Sequence, residues 1–192
     1  MIRTLLLLAL GVALIGCVPV SSNTLPSGGA IDESNESIIL VGVAPDNFRI
    51  TLGPGQVNSR GNFSDGLSLT GYIGAYPDDG YVIGRSEGEK TYGVTAVARG
   101  EENGAEARRT YSVCGGRETV VFDVSPGEML YIGDFEYAVA DNRMRFKFER
   151  DFEAASAYFD TAFPQYAGRL KAADISMHPV VLNCTQTIYI RQ

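Results

Sequence analysis

Nine short apolar or alternating runs, each cut off by a turn-forming cluster, constrain this chain more than any other feature. Ile38 to Val43 is a β-branched apolar run, and Phe48-Arg49-Ile50-Thr51-Leu52 alternates apolar with polar at period two. The pattern recurs at Leu67–Ile73, Tyr92–Ala98, Tyr111–Val113 and Met144–Phe148, with Glu118–Val124, Met129–Ile132 and Thr185–Ile190 completing the set. Runs of this length in Val, Ile, Thr, Tyr and Phe are strand signals. Between them lie Gly53-Pro54-Gly55, Pro77-Asp78-Asp79-Gly80, Glu101-Glu102-Asn103-Gly104, Cys114-Gly115-Gly116 and Ser125-Pro126-Gly127. These hold the positive-φ and fixed-φ residues that tight reversals need. The expectation is a mainly β chain, built as an antiparallel β-sandwich or an open barrel.

One segment has helical period instead. Phe152, Ala155, Phe159, Ala162 and Phe163 fall on a single helical face, Asp151 stands where an N-cap belongs, and Pro164 ends the run. Residues 151–163 are therefore expected to form one C-terminal α-helix, whose phenylalanine stripe covers the sandwich. A partner-binding stripe is the competing reading. Arg169 to Ala173 reads as a further short helical turn.

The amino terminus belongs to neither pattern. Arg3 supplies a positive start, Leu5 to Ile15 is an unbroken run of apolar and small residues, and Leu14-Ile15-Gly16-Cys17 sets a small residue before a cysteine. That is the layout of a secretory signal, too short for the roughly 20 residues of a membrane-spanning helix. The tetrapeptide is a lipobox, and in this the chain resembles bacterial lipoproteins, whose cysteine is cleaved free and acylated. The resemblance implies a signal peptide over residues 1–16, acylation of Cys17 and a membrane partner reached through the lipid. The plainer alternative is an ordinary signal peptide in which Cys17 is incidental. Residues 17–37, rich in Ser, Asn, Gly and Pro, read as the acylated cysteine and a flexible tether spanning about 25 Å, with the folded domain over 38–192. Val18, rather than an aspartate, follows the cysteine, and the lipoprotein sorting rule then implies the outer membrane.

Removing the first 16 of 192 residues leaves 176, enough for one domain with a full core, and takes the net charge from −7 to −8. An acidic chain has no electrostatic footing for nucleic acid, so no such partner is expected. With Cys17 given to the lipid, Cys114 and Cys184 remain as a pair in an oxidising compartment, and a disulfide follows. Closing a loop of about 70 residues is worth roughly 4 kcal/mol in the chain-entropy model. Two buried thiols or a metal site are the alternatives, but two cysteines and one histidine cannot close a zinc site without carboxylates.

Catalytic signals are thin. His178 is the one histidine and precedes Pro179, and there is no Gly-x-Ser-x-Gly elbow. Asp134 and Glu136 sit two apart after a strand and read as solvent-facing, while Glu149, Asp151 and Glu153 suit a helix start. Phosphate-loop and calcium-loop spacings are missing, and neither metal nor cofactor is expected. Tyr72, Tyr76 and Tyr81 flank the Asp78-Asp79 turn and are the candidate ligand-binding residues: rings that stack on sugars beside carboxylates that bond their hydroxyls. Half-buried strand-end tyrosines are the commoner arrangement.

Ser125-Pro126-Gly127-Glu128, then Leu130-Tyr131-Ile132-Gly133-Asp134, then the 151–163 helix ahead of Pro164 are similar to a group of poorly characterised bacterial envelope lipoproteins carrying a carboxypeptidase-regulatory-like β-sandwich. The likeness covers residues 38–163. It implies an Ig-like or regulatory-domain-like sandwich and no assigned activity. The expected function is a lipid-anchored, non-catalytic structural or binding module of the bacterial envelope, with an envelope protein or glycan as partner. The alternative is an enzyme or binding protein acting on envelope glycans through the surface tyrosines and carboxylates. Small-ligand carriage is a third class, requiring an apolar cavity in the sandwich.

Overall fold

The run Ile38–Val43 has no polar side chain because both of its faces are covered. In the computed structural model, which describes residues 23–66, 70–100, 109–141 and 143–181, this run lies in strand β1 (Glu36–Ala44). Ile39, Val41 and Val43 point into the core between two sheets, while Ile38 and Leu40 point the other way, beneath a helix. Three layers result: helix, first sheet, second sheet.

The first sheet has the order β10-β9-β1-β5, from β5 (Tyr81–Glu87), β9 (Met129–Ala140) and β10 (Arg143–Glu149), with β11 (Lys171–Ala172) added beside β9. The second has the order β12-β8-β6-β2-β3, from β2 (Phe48–Val57), β3 (Phe63–Asp65), β6 (Lys90–Arg99), β8 (Glu118–Val124) and β12 (Ile175–Pro179). The short strands β4 (Ile73–Ala75) and β7 (Arg109–Ser112) pair with β2 and β6. The chain is thus a mainly β sandwich with a single helix, α1 (Phe152–Ala162), as the periodicity predicts. The sheets are not purely antiparallel, however. β1 runs parallel to β9, and so does β11, because the chain crosses over the second sheet between β1 and β9 rather than turning back in a hairpin.

Several local readings change. Gly53-Pro54-Gly55 is not a turn but the continuation of β2, paired with Gly93, Tyr92 and Thr91. The Phe63 ring packs against this stretch, and a methyl group at Gly55 would sit 2.5 Å from it. Lys171–Ala172 is extended rather than helical. Leu170 packs in the helix layer and Ala173 in the inter-sheet core, a reach that only an extended backbone makes. Strands β3, β5, β11 and β12 carry too many Gly, Ser and charged residues to read as apolar runs. Leu67 to Leu69, the Glu101–Gly104 turn and Thr185–Ile190 lie outside the described residues.

The second half of the supposed tether is also built in. Thr24 bridges Gly84 on the free edge of β5, Leu25 N donates to Ile83 O at 3.0 Å, and Leu25 is buried. Gly28 N donates to the helix-terminal carbonyl of Ala162 at 2.7 Å, and Ile31 N to the Tyr166 hydroxyl at 3.0 Å. Arg169 closes the segment with a two-pronged pair to Glu33 at 2.9 and 2.8 Å. Composition misses this because the holding bonds come mostly from backbone, which polar sequence does not lack.

Asp151 caps α1 by accepting Ala154 N at 3.0 Å, and the stripe faces the first sheet. Ala155, Phe159 and Phe163 are fully buried with Tyr131, Met129 and Leu40. Phe152 is different: it is 40% exposed and meets only the Tyr131 ring among aromatic neighbours, at 6.1 Å. It lies in the first turn, beyond the sheet's cover. Replacing Phe159 or Phe163 by alanine should cost about 3–5 kcal/mol through lost burial and the cavity left, and Phe152 less than about 1.5 kcal/mol. Urea unfolding of the three variants measures this; equal, small losses at Phe159 and Phe163 would refute the core assignment of the stripe.

Candidate functional site

Strand β9 changes face halfway along. Leu130 and Ile132 enter the inter-sheet core, and strict alternation would send residue 134 after them. Instead the pairing with β1 shifts register between Leu40 and Gly42, and Phe135 and Tyr137 are the residues that turn inward. Gly133 takes up the extra residue at φ 138°, a backbone that side chains rarely adopt, with the Phe148 ring 2.5 Å from where a Cβ would stand. The bulge carries Asp134 to the helix side, beside Tyr131. Opposite it is Gly42, where any Cβ would overlap the Asp134 carboxylate.

There the carboxylate organises the start of the helix. Asp134 Oδ2 accepts a short hydrogen bond from the Tyr131 hydroxyl and another from Asp151 N at 3.0 Å. Burial raises the Tyr131 pKa far above the ordinary tyrosine value, and the bond to Asp134 and its charge add to the effect. Asp134 is thus half-buried and bonded, not solvent-facing as its position at a strand end suggests; Glu136, two residues on, is exposed.

Between this node and β10 opens a pocket of about 340 Å³, near the lower end of small-molecule sites. Its polar wall is Asp46, Tyr81, Asp134, Glu136, Lys147 and Glu149. Lys147 Nζ lies 2.7 Å from Glu149 Oε1, and that bond, followed by the charges of Glu149 and Glu136, raises the ammonium's pKa. Tyr81 stacks on Tyr158 with centroids 4.4 Å apart, and its hydroxyl is raised by burial first and by Asp134 and Asp151 next. Acceptors in excess, one ammonium and an aromatic edge suit a polyhydroxylated or amine-bearing ligand.

The five ligand-binding candidates divide. Tyr81 lines the pocket, and Asp78 and Asp79 stand nearby, their charges raising the pKa of Tyr158 after its burial. Tyr72 and Tyr76 stand apart from it and from each other: the Tyr72 hydroxyl reaches Gly66 O at 3.3 Å, while the Tyr76 ring lies over Gly100. They cap opposite ends of β4, so the three rings form no common platform. Asp46 and Lys147 escaped the sequence reading, and Glu149 reads there only as part of the helix start, because the β1–β9 and β9–β10 pairings, not sequence proximity, assemble them.

His178 proves to be a clasp. Its Nδ1 lies 2.8 Å from Gly61 O, which can only accept, so Nδ1 carries the proton and Nε2 accepts from the Ser176 hydroxyl at 2.9 Å. With the Phe63–Val180 bridge this draws β12 towards β3 and curls the second sheet. Cys114 carries a disulfide bond; Cys17 and Cys184 lie outside the described residues. Among the described residues no group of three or more His, Cys, Asp or Glu could hold a metal.

Two buried tyrosines make the fold sensitive to alkali. The Tyr137 hydroxyl has no hydrogen-bond partner, and burial alone raises its pKa. Both Tyr131 and Tyr137 are raised, so the folded state favours their neutral forms. Their contribution is intact below the ordinary value of about 10 and is lost as pH climbs above it. Stability should fall above about pH 10, and Tyr137→Phe should flatten that slope by up to ~1.4 kcal/mol per pH unit with little loss at pH 7. Urea titrations across the range check this; an unchanged slope would contradict it.

No family model, curated protein or solved structure matches the chain.

Proposed function

We propose that this chain is a lipid-anchored bacterial envelope protein, sorted to the outer membrane, whose β-sandwich is a non-catalytic structural or binding module. The observation that carries the reading is Leu14-Ile15-Gly16-Cys17 behind its short apolar run. Attachment by acyl chains fits a chain of net charge −7, which has no overall attraction to anionic headgroups. Among the described residues no helix is long and apolar enough to cross a membrane. The disulfide at Cys114 fits an oxidising compartment, and Cys184 is its proposed partner.

A second reading, binding of an envelope glycan, is favoured by one observation: Tyr81, Asp134, Glu136 and Glu149 share a pocket of about 340 Å³. The same pocket allows no assignment of reaction, since its one lysine is paired with Glu149 and Asp134 is held by Tyr131 and Asp151 N.

Cys17→Ser should abolish palmitate labelling and move the protein from the membrane to the soluble fraction or leave it uncleaved. Unchanged mass and fractionation would defeat the anchor. Thiol titration of denatured, unreduced mature protein should find no free Cys114 or Cys184, and reduction should lower stability by about 2–4 kcal/mol. Two titratable thiols would defeat the pairing.

A further inference from the structure

We infer that the domain is seated on the bilayer by one particular edge, the side of β5 on which residues 23–25 pair, with phospholipid headgroups as its partner. The inference rests on acylation of Cys17 and follows from the length of chain between the lipid and the first docked residue. Asn23 is already fixed: its N–H donates to Tyr72 O at 3.0 Å, and its carbonyl accepts from Arg85 N at 2.7 Å. Thr24 bridges Gly84 and Leu25 is buried, so the chain is held to the fold from Asn23 and not only from Ser37.

Only Val18 to Ser22 separate Asn23 from the acylated cysteine. However these five residues are arranged, Cys17 and Asn23 lie no more than about 20 Å apart. A free tether to residue 37 would permit about 70 Å. The exit point is therefore confined to the membrane surface and its neighbours face the headgroups.

Those neighbours have the chemistry of an interface. Tyr72 is half-buried beside the exit, with an apolar ring and an exposed hydroxyl bond. Lys90 Nζ stands 3.4 Å from the Cβ position of Gly71, the residue before Tyr72. Among the described residues Lys90 has no ion pair, whereas Arg85 shares its charge with Glu36 and Glu87 at 3.3 and 4.0 Å. Tyrosine and lysine at headgroup depth place a ring in the boundary and a cation among phosphates. The edge at β10 is three strand spacings away across the first sheet, about 14 Å farther from the exit.

The test uses the full acylated protein in phosphatidylethanolamine–phosphatidylglycerol vesicles bearing a headgroup nitroxide. A fluorophore is attached at exposed Glu89→Cys, beside Lys90, or at Arg145→Cys on β10, and urea unfolding verifies both folds. Quenching at position 89 should exceed that at 145 at least threefold, in these vesicles and in phosphatidylcholine alone, because chain length rather than lipid charge sets the orientation. Equal quenching of a vesicle-bound, acylated protein overturns the seating and leaves the anchor intact. Absence of acylation by mass overturns the anchor itself, a separately recognisable result.

Discussion

Burial of β1 on both faces is the constraint from which the rest of the molecule follows. A strand with apolar side chains on alternate faces cannot stop at a two-layer sandwich, because Ile38 and Leu40 would face water. Some element must lie over them, and the Phe159–Phe163 stripe of α1 fills that role. The demand extends to β5 and β9, whose Ile83, Met129 and Tyr131 join the same layer. Residues 23–35 then serve as a second cover, strapping the helix end to the sheet through Gly28, Ile31 and Arg169.

The helix must also arrive in the correct place, and a single bulge accomplishes this. By exchanging the faces of β9 at Gly133, the chain places an aspartate where a core residue would otherwise be, next to a buried tyrosine and the amide of the helix's N-cap, Asp151. A carboxylate in such a setting is stabilised by donors rather than by countercharge. The same bulge positions the wall of the pocket, so architecture and candidate binding site share one origin. Altering Gly133 would disturb both together, which makes the pocket a poor target for glycine substitution and a better one for changes at Glu136 or Lys147.

How much of this could be read from sequence depends on which force placed each residue. β1, β6, β8 and β10 were legible because hydrophobic periodicity is written in the residues that make it. So was α1, including its Asp151 cap. What could not be read is whatever backbone geometry decides. The docked stretch at 23–35 contains the same polar residues a free linker would, and only its hydrogen bonds distinguish it. Gly53-Pro54-Gly55 has turn composition yet stays extended, since the Phe63 ring needs the space. Phe152 obeyed the helical pattern but lies one turn beyond the sheet, so periodicity assigned its direction and not its depth. The pocket was illegible for a similar reason: Tyr81 and Glu149 are brought near one another by strand order, which local pattern does not encode.

The two borders of the first sheet are treated in different ways. One is closed by the chain's own residues 23–25, while β10 forms the other, with no strand beyond it among the described residues. A bare seven-residue border with Met144, Phe146 and Phe148 on one side invites a neighbour to add a strand. Its opposite side carries Arg143, Arg145 and Lys147 at every second position. If two copies lay antiparallel in full overlap, Arg143 would meet Glu149 but Arg145 would fall opposite Lys147, and a slip of two residues would set one of these cations opposite itself. Like charges so placed repel. The polar side of this strand thus acts as a fence: it leaves the border open to water and to a partner of different charge, while discouraging sheet-to-sheet growth between identical molecules crowded side by side.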